Sequence, residues 1–179
     1  MTTQFAPKNM TTNSAPSPYI ASASTESSSY FLANKAFDNV VGSNQYWLAS
    51  ESSGWLKIYI AASWLLDNYS IRVNTIPEAT RAPKDWTMEG SLDGTNFSTL
   101  DTITNQTGWG SGETRNFVCS SRGVPYTYYR LNISANNGSA ILQVGELYLY
   151  GDIPQSNTNY LHNRGHNRLD LKSITRLHV

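Results

Sequence analysis

The chain has 179 residues, enough for one buried core with tails, and its 13 Lys and Arg balance 13 Asp and Glu to a formal net charge of zero. That balance excludes a strongly basic nucleic-acid-binding surface, and no run approaches the ~20 apolar residues of a membrane-spanning helix. Charged residues make up 15% and aromatic residues 12%, which suits strands joined by polar loops better than charged helices.

Residues 1–17 are polar, carry Pro7 and Pro16, and read as an N-terminal arm. Residues 1–15 hold no apolar stretch of the kind a secretory leader needs, so the expectation is synthesis in the cytosol without one. Residues 19–24 read as a first strand. Residues 38–46 form a loop rich in Asn, Gly and Ser. Residues 55–60 alternate bulky and polar side chains, as a strand with one buried face does. Residues 69–73 read as another strand, with Ile71 and Val73 inward and Arg72 outward.

Residues 84–100 read as a hairpin. Residues 86–91 alternate, Asp93-Gly94 is a turn dipeptide whose glycine accepts positive φ, and residues 97–100 begin the return strand. Pro83 fixes the entry, because proline donates nothing to a ladder. Residues 105–112 are a loop carrying Trp109, residues 114–118 and 128–134 are strands, residues 136–139 are a turn, and residues 144–150 are the closing strand. Short strands with turn signals and no long amphipathic helix predict an all-β antiparallel sandwich. Residues 152–179 differ: they hold His162, His166 and His178, four basic side chains and the spaced apolar residues Leu161, Leu169, Leu171, Ile174 and Leu177. They read as an extension that docks on another copy or on a larger assembly.

Catalysis finds little support. There is no Gly-x-Ser-x-Gly elbow, phosphate loop or His-Glu-x-x-His, and no histidine precedes His162. His162 and His166 have a spacing seen in zinc sites, but Gly165 disfavours a helix between them and no third ligand intervenes. Cys119, the one cysteine, cannot form an internal disulfide and reads as a buried small hydrophobe or an inert thiol.

Pro83-Lys84-Asp85-Trp86 followed by Glu89-Gly90-Ser91-Leu92-Asp93-Gly94 resembles the central hairpin of discoidin, or coagulation factor 5/8 type C, domains and of carbohydrate-binding modules of the same galactose-binding-like fold. Ala36-Phe37-Asp38, Trp47 and Trp55 upstream, and Tyr128-Tyr129-Arg130-Leu131 and residues 146–151 downstream, extend the resemblance over residues 17–151. It implies a jelly-roll domain over residues 18–151 with Trp47, Trp55, Trp86, Leu131, Ile133, Leu147 and Leu149 inside. It also implies a structural calcium ion held by Asp38 and Glu146 through carboxylates, Ser43 through hydroxyl or carbonyl, and Lys35 and Asn39 through carbonyls. Asn39 departs from the glycine common there. The competing reading of these residues is a turn cap at Asp38 and a salt bridge at Glu146.

The resemblance further implies a non-catalytic module that binds cell-surface glycans through loops at one end of the sandwich. The candidates there are Trp109 as a stacking platform, with Arg81, Glu78, Asn74, Asn136 and Asn137. Trp109 could equally fold over a neighbouring loop, and Arg81 could pair with Asp85 or Glu78. A free-standing adhesion module with docking extensions suggests a virion-associated protein of a bacteriophage, displayed on the virion surface. The alternative is a structural or decoration protein of a viral particle that uses the sandwich for assembly. Neither nucleic-acid binding nor membrane insertion is expected.

Overall fold

The computed structural model of the protein describes residues 3–74 and 79–154. Ten strands lie among them: β1 (Thr3–Gln4), β2 (Ile20–Ala23), β3 (Trp47–Ala49), β4 (Gly54–Arg72), β5 (Pro83–Ser91), β6 (Ser98–Ile103), β7 (Thr114–Val118), β8 (Tyr126–Asn136), β9 (Leu142–Val144) and β10 (Glu146–Asp152). Every pairing is antiparallel. The long β4 belongs to both layers. Its first half pairs with β2 and β8, which continues to β5 and β6, and this is the front sheet. Its second half pairs with β7 and with β10, which continues to β1, and this is the back sheet. The result is the expected all-β jelly-roll sandwich.

The two strands expected at residues 55–60 and 69–73 are therefore one. Between them the register with β8 shifts, from Tyr59 to Trp64, and Ala61 and Ala62 are exposed. Such an irregularity lets one strand bend from one sheet into the other.

The core lies where the layers face each other. Leu56, Ile58, Trp86, Met88, Leu131 and Ile133 come from the front, and Tyr69, Ile71, Leu147 and Leu149 from the back; all are buried. Trp86 ties the layers together. Its indole N–H donates to the Tyr69 hydroxyl at 2.9 Å, and that hydroxyl donates to the Asp101 carboxylate at 3.0 Å. Phe117 meets Trp86 edge-on at 5.0 Å and stacks on Tyr69 at 5.3 Å, so aromatic geometry adds to area burial. Trp47 is also fully buried, and its N–H donates to the Thr25 carbonyl at 2.9 Å.

Two expectations are corrected. Trp55 is not core: it is half-buried, in phase with Lys57 and Tyr59, while Leu56, Ile58 and Ile60 point inward. Residues 1–17 are not a loose arm in their described part. Phe5 and Met10 are buried, the Phe5 ring stacks on Trp64 at 4.9 Å, and β1 pairs with β10. At the other end β10 runs through Asp152. The docking expected of residues 152–179, and its three histidines, fall almost wholly outside the described residues.

Candidate functional site

Two surface regions concentrate polar chemistry. The first is the end of the sandwich where β4 finishes. Gly145 donates to the Arg72 carbonyl at 2.9 Å, and Gly112 to the Asn74 carbonyl at 3.0 Å. A Cβ on Gly145 would meet that Arg72 oxygen at 2.8 Å, so only glycine permits this approach. Residues 104–113 and 136–141 gather against the segment around Ala82. The Asn137 amide donates to the carbonyls of Ala82, Pro83 and Gln106 at 3.0, 3.3 and 3.1 Å. The Asn136 amide donates to the Ser139 and Ile141 carbonyls, and its oxygen accepts from Gly138 and Ser139.

Trp109 completes this end from within. It is 4% exposed, its N–H donates to the Pro83 carbonyl at 2.8 Å, and the Arg115 guanidinium lies 4.2 Å from its ring centre. Gly108, at a φ of 66°, turns the chain so that the indole folds back beneath the loop. Trp109 is thus a packing residue and not an open stacking platform. Asn136 and Asn137 use their amides to pin loops. Asn74 is buried and Arg81 half-buried at this end, and Glu78 lies outside the described residues.

The same end carries the residues expected to hold a metal. Asp38 and Glu146 are both buried and close enough to share a hydrogen bond when one is protonated. Burial first, and the Asp38 charge second, push the Glu146 carboxyl up to about 8. The Asn39 backbone N–H donates to that carboxylate, but its Oε1 is buried without a hydrogen-bond partner. Lys35 pairs with Asp38 at 3.4 Å, and the other Asp38 oxygen accepts from the Val40 N–H at 2.9 Å. Asn39 has a φ of 57°. This is the left-handed region that a glycine would enter freely and that asparagine tolerates better than most residues, which explains how the departure is accommodated. Lys35, Asp38, Asn39 and Glu146 are thus brought together, while Ser43 lies exposed farther along the loop. Among the described residues no group of three or more His, Cys, Asp or Glu side chains could hold a metal. A cation here would combine two carboxylates with carbonyl oxygens, an all-oxygen set of the kind hard cations take.

The second region is the outer face of the front sheet, which the sequence reading passed over. Register places Tyr59 beside Tyr128, Lys57 beside Arg130 and Trp55 beside Asn132. On β5 the partners of Arg130 and Asn132 are Glu89 and Thr87. Glu89 is 7% exposed and accepts from Arg130 Nε at 2.6 Å, Thr87 Oγ1 at 2.7 Å and Asn132 Nδ2 at 3.2 Å. The Arg130 guanidinium lies 3.8 Å from the Phe97 ring centre. Lys57 Nζ stands 5.2 Å from the Trp55 ring centre and 5.9 Å from that of Tyr128, reaching the Gly94 carbonyl at 3.4 Å. The Tyr59 and Tyr128 rings meet at 4.9 Å. The signal was available: strict alternation from Leu56 inward leaves Trp55 outward, on the side of Lys57.

No protein-family model matches the chain, and no curated protein matches it. Solved structures do. A chitosan-binding module from the chitosanase/glucanase of Paenibacillus sp. IK-5 is similar at a TM-score of 0.61 and 19% identity, over 83% of this chain and 99% of the module. An F5/8 type C domain from Bacteroides fragilis is similar at 0.62 and 15%, over 76% and 93%. A family 32 carbohydrate-binding module from Clostridium perfringens, in complex with galactose, is similar at 0.63 and 13%, over 84% and 99%. The protein has the galactose-binding-like fold of F5/8 type C domains and family 32 carbohydrate-binding modules.

Proposed function

We propose that the protein is a non-catalytic carbohydrate-binding module that recognises cell-surface glycans. The observation that carries this reading is an open sheet face where half-buried aromatic rings stand beside planar polar groups, Arg130 and Asn132. Sugars need this combination, an apolar surface for ring C–H groups and fixed hydrogen-bonding groups for hydroxyls. The fold supports it, since structures similar to this one are carbohydrate-binding modules, among them one in complex with galactose and another in complex with GalNAc-β-1,3-galactose. The test is a glycan array probed with the full chain. Retention on at least one glycan is expected, and a blank array overturns the reading.

We further propose that Asp38 and Glu146, with the Lys35 and Asn39 carbonyls, hold a structural Ca²⁺. The orphan Oε1 of Glu146 beside Asp38 supports it, and the ion's work would be to pin residues 38–43 to β10. Delivery to the glycan is proposed to run through residues 152–179, which would join copies of the chain or fix it to the surface of a bacteriophage particle. The spaced leucines of that segment are the support. Removing residues 155–179 should leave the melt of the sandwich unchanged and abolish association in light scattering. Equal scattering by the two forms counts against it.

A further inference from the structure

We propose that the glycan lies across the outer face of the front sheet and that its recognised sugar carries a carboxylate, which sits on Lys57 and the edge of Arg130. This rests on the carbohydrate-binding reading and adds the place and the chemical class of the ligand.

The charges on this face are arranged in a specific way, and the carboxylate of the neighbouring turn, Asp93, is engaged by Ser91, Thr95 and Asn96 of its own turn. Lys57 and Arg130 are register partners on adjacent strands, so their stems leave the sheet about 5 Å apart. The acid of the same cross-strand row, Glu89, is buried and bonded to Arg130 Nε, Thr87 and Asn132. Glu89 therefore orients Arg130 without covering Lys57. The Arg130 plane is fixed from two sides, by Glu89 at one edge and by Phe97 against its face. A guanidinium held this way meets a planar carboxylate with little further ordering. Lys57 is confined too, between the Trp55 and Tyr128 rings.

The aromatic rings decide between a free anion and a sugar. Trp55 and Tyr59 flank Lys57 along the strand on the same side of the sheet, and Tyr128 lies against Tyr59. Cross-strand aromatic pairs stabilise a sheet by themselves, but here a confined ammonium stands among them at the surface. A carboxylate bound at Lys57 would bring the ring that carries it down onto Trp55 or Tyr59, where its C–H groups leave water. An inorganic anion would leave those rings unused. The turn after β5 bounds the site on one side: a Cβ on Gly94 would come within 2.9 Å of the Tyr128 ring, so the turn lies directly on it.

The experiment is calorimetric titration of the full chain with trigalacturonate, sialyllactose and lactose, repeated with Lys57→Met and Trp55→Ala and in raised salt. Lys57→Met keeps an apolar stem over Trp55 and removes the charge. Binding of at least one carboxylated sugar is expected, tighter than lactose, weakened by salt and weakened about tenfold or more by Lys57→Met, as loss of a charge-assisted bond requires. Trp55→Ala should weaken the same ligand, while both variants keep the wild-type circular dichroism. Whether trigalacturonate or sialyllactose binds distinguishes a uronate from a sialate. Lactose binding equal to that of the acids, or carboxylate binding indifferent to both substitutions, overturns this proposal and leaves the carbohydrate-binding reading standing. If none of the three binds, the proposal falls, and the glycan array then decides the broader reading separately.

Discussion

The Tyr69 hydroxyl sits between a donor and an acceptor that have no water to turn to. Trp86 donates to it, it donates to Asp101, and all three side chains are buried. Burial above all, with Asp101 adding to it, raises the phenol far above its usual range, so it remains a donor at any ordinary pH. Tyr69→Phe keeps the ring and strands both partners. The expected loss is about 1–3 kcal/mol, the cost of unsatisfied buried groups, read from denaturant unfolding. A variant as stable as the wild type would mean Asp101 finds another donor. Cys119, half-buried against the core, is shifted the same way. Burial, with smaller contributions from Asp101 and Asp67, pushes its thiol up to about 12, and the thiolate is the reactive form. At pH 8 a thiol reagent should modify the folded protein far more slowly than the denatured one; equal rates would contradict the burial.

At the scale of elements, β1 and the loop of Trp109 both turn out to be structural. Phe5 stacks on Trp64 and lies beside Tyr129 at 5.2 Å. Phe5→Ala should cost about 3–5 kcal/mol, as for other large buried aromatics, and a loss below about 1 kcal/mol would return residues 1–17 to the status of an arm. These cases show what the sequence could and could not carry. The hairpin of β5 and β6 was legible because alternation, a proline entry and an Asp-Gly turn all act locally. The phase of β4 was legible too, but the resemblance put Trp55 in the core where its alternation with Leu56, in phase with Lys57, put it outside. Phe5 was hidden because its partners, Trp64 and Tyr129, lie far along the chain. Trp109 was ambiguous for a related reason. Flanking glycines mark a loop that can bend, and whether the indole points out or folds under depends on the Pro83 carbonyl and Arg115, which come from other segments.

Across the whole molecule, the end of the sandwich near Arg72 couples protonation, cation binding and stability. The Glu146 carboxyl has an ordinary value of 4.5 and is raised to about 8 in the fold, by burial first and by Asp38 second. A raised carboxyl costs the fold nothing below pH 4.5, where Glu146 is protonated in both states. As pH climbs from 4.5 towards 8, the unfolded chain ionises first, and the fold loses about 1.4 kcal/mol for each unit crossed. Burial and then Asp38 oppose ionisation, while the Asn39 N–H and Arg72 favour it and are outweighed. With a chelator present, stability should therefore fall between pH 5 and 8 by a few kcal/mol relative to Glu146→Gln, whose amide does not titrate. Adding Ca²⁺ should abolish that fall in the wild type, because an ion bound only by the ionised, folded form stabilises it by mass action. Urea unfolding at several pH values, with chelator and with Ca²⁺, reads both effects. Parallel profiles for wild type and Glu146→Gln would refute the buried charge, and a chelated fall that Ca²⁺ does not reverse would refute the metal while leaving the charge in place.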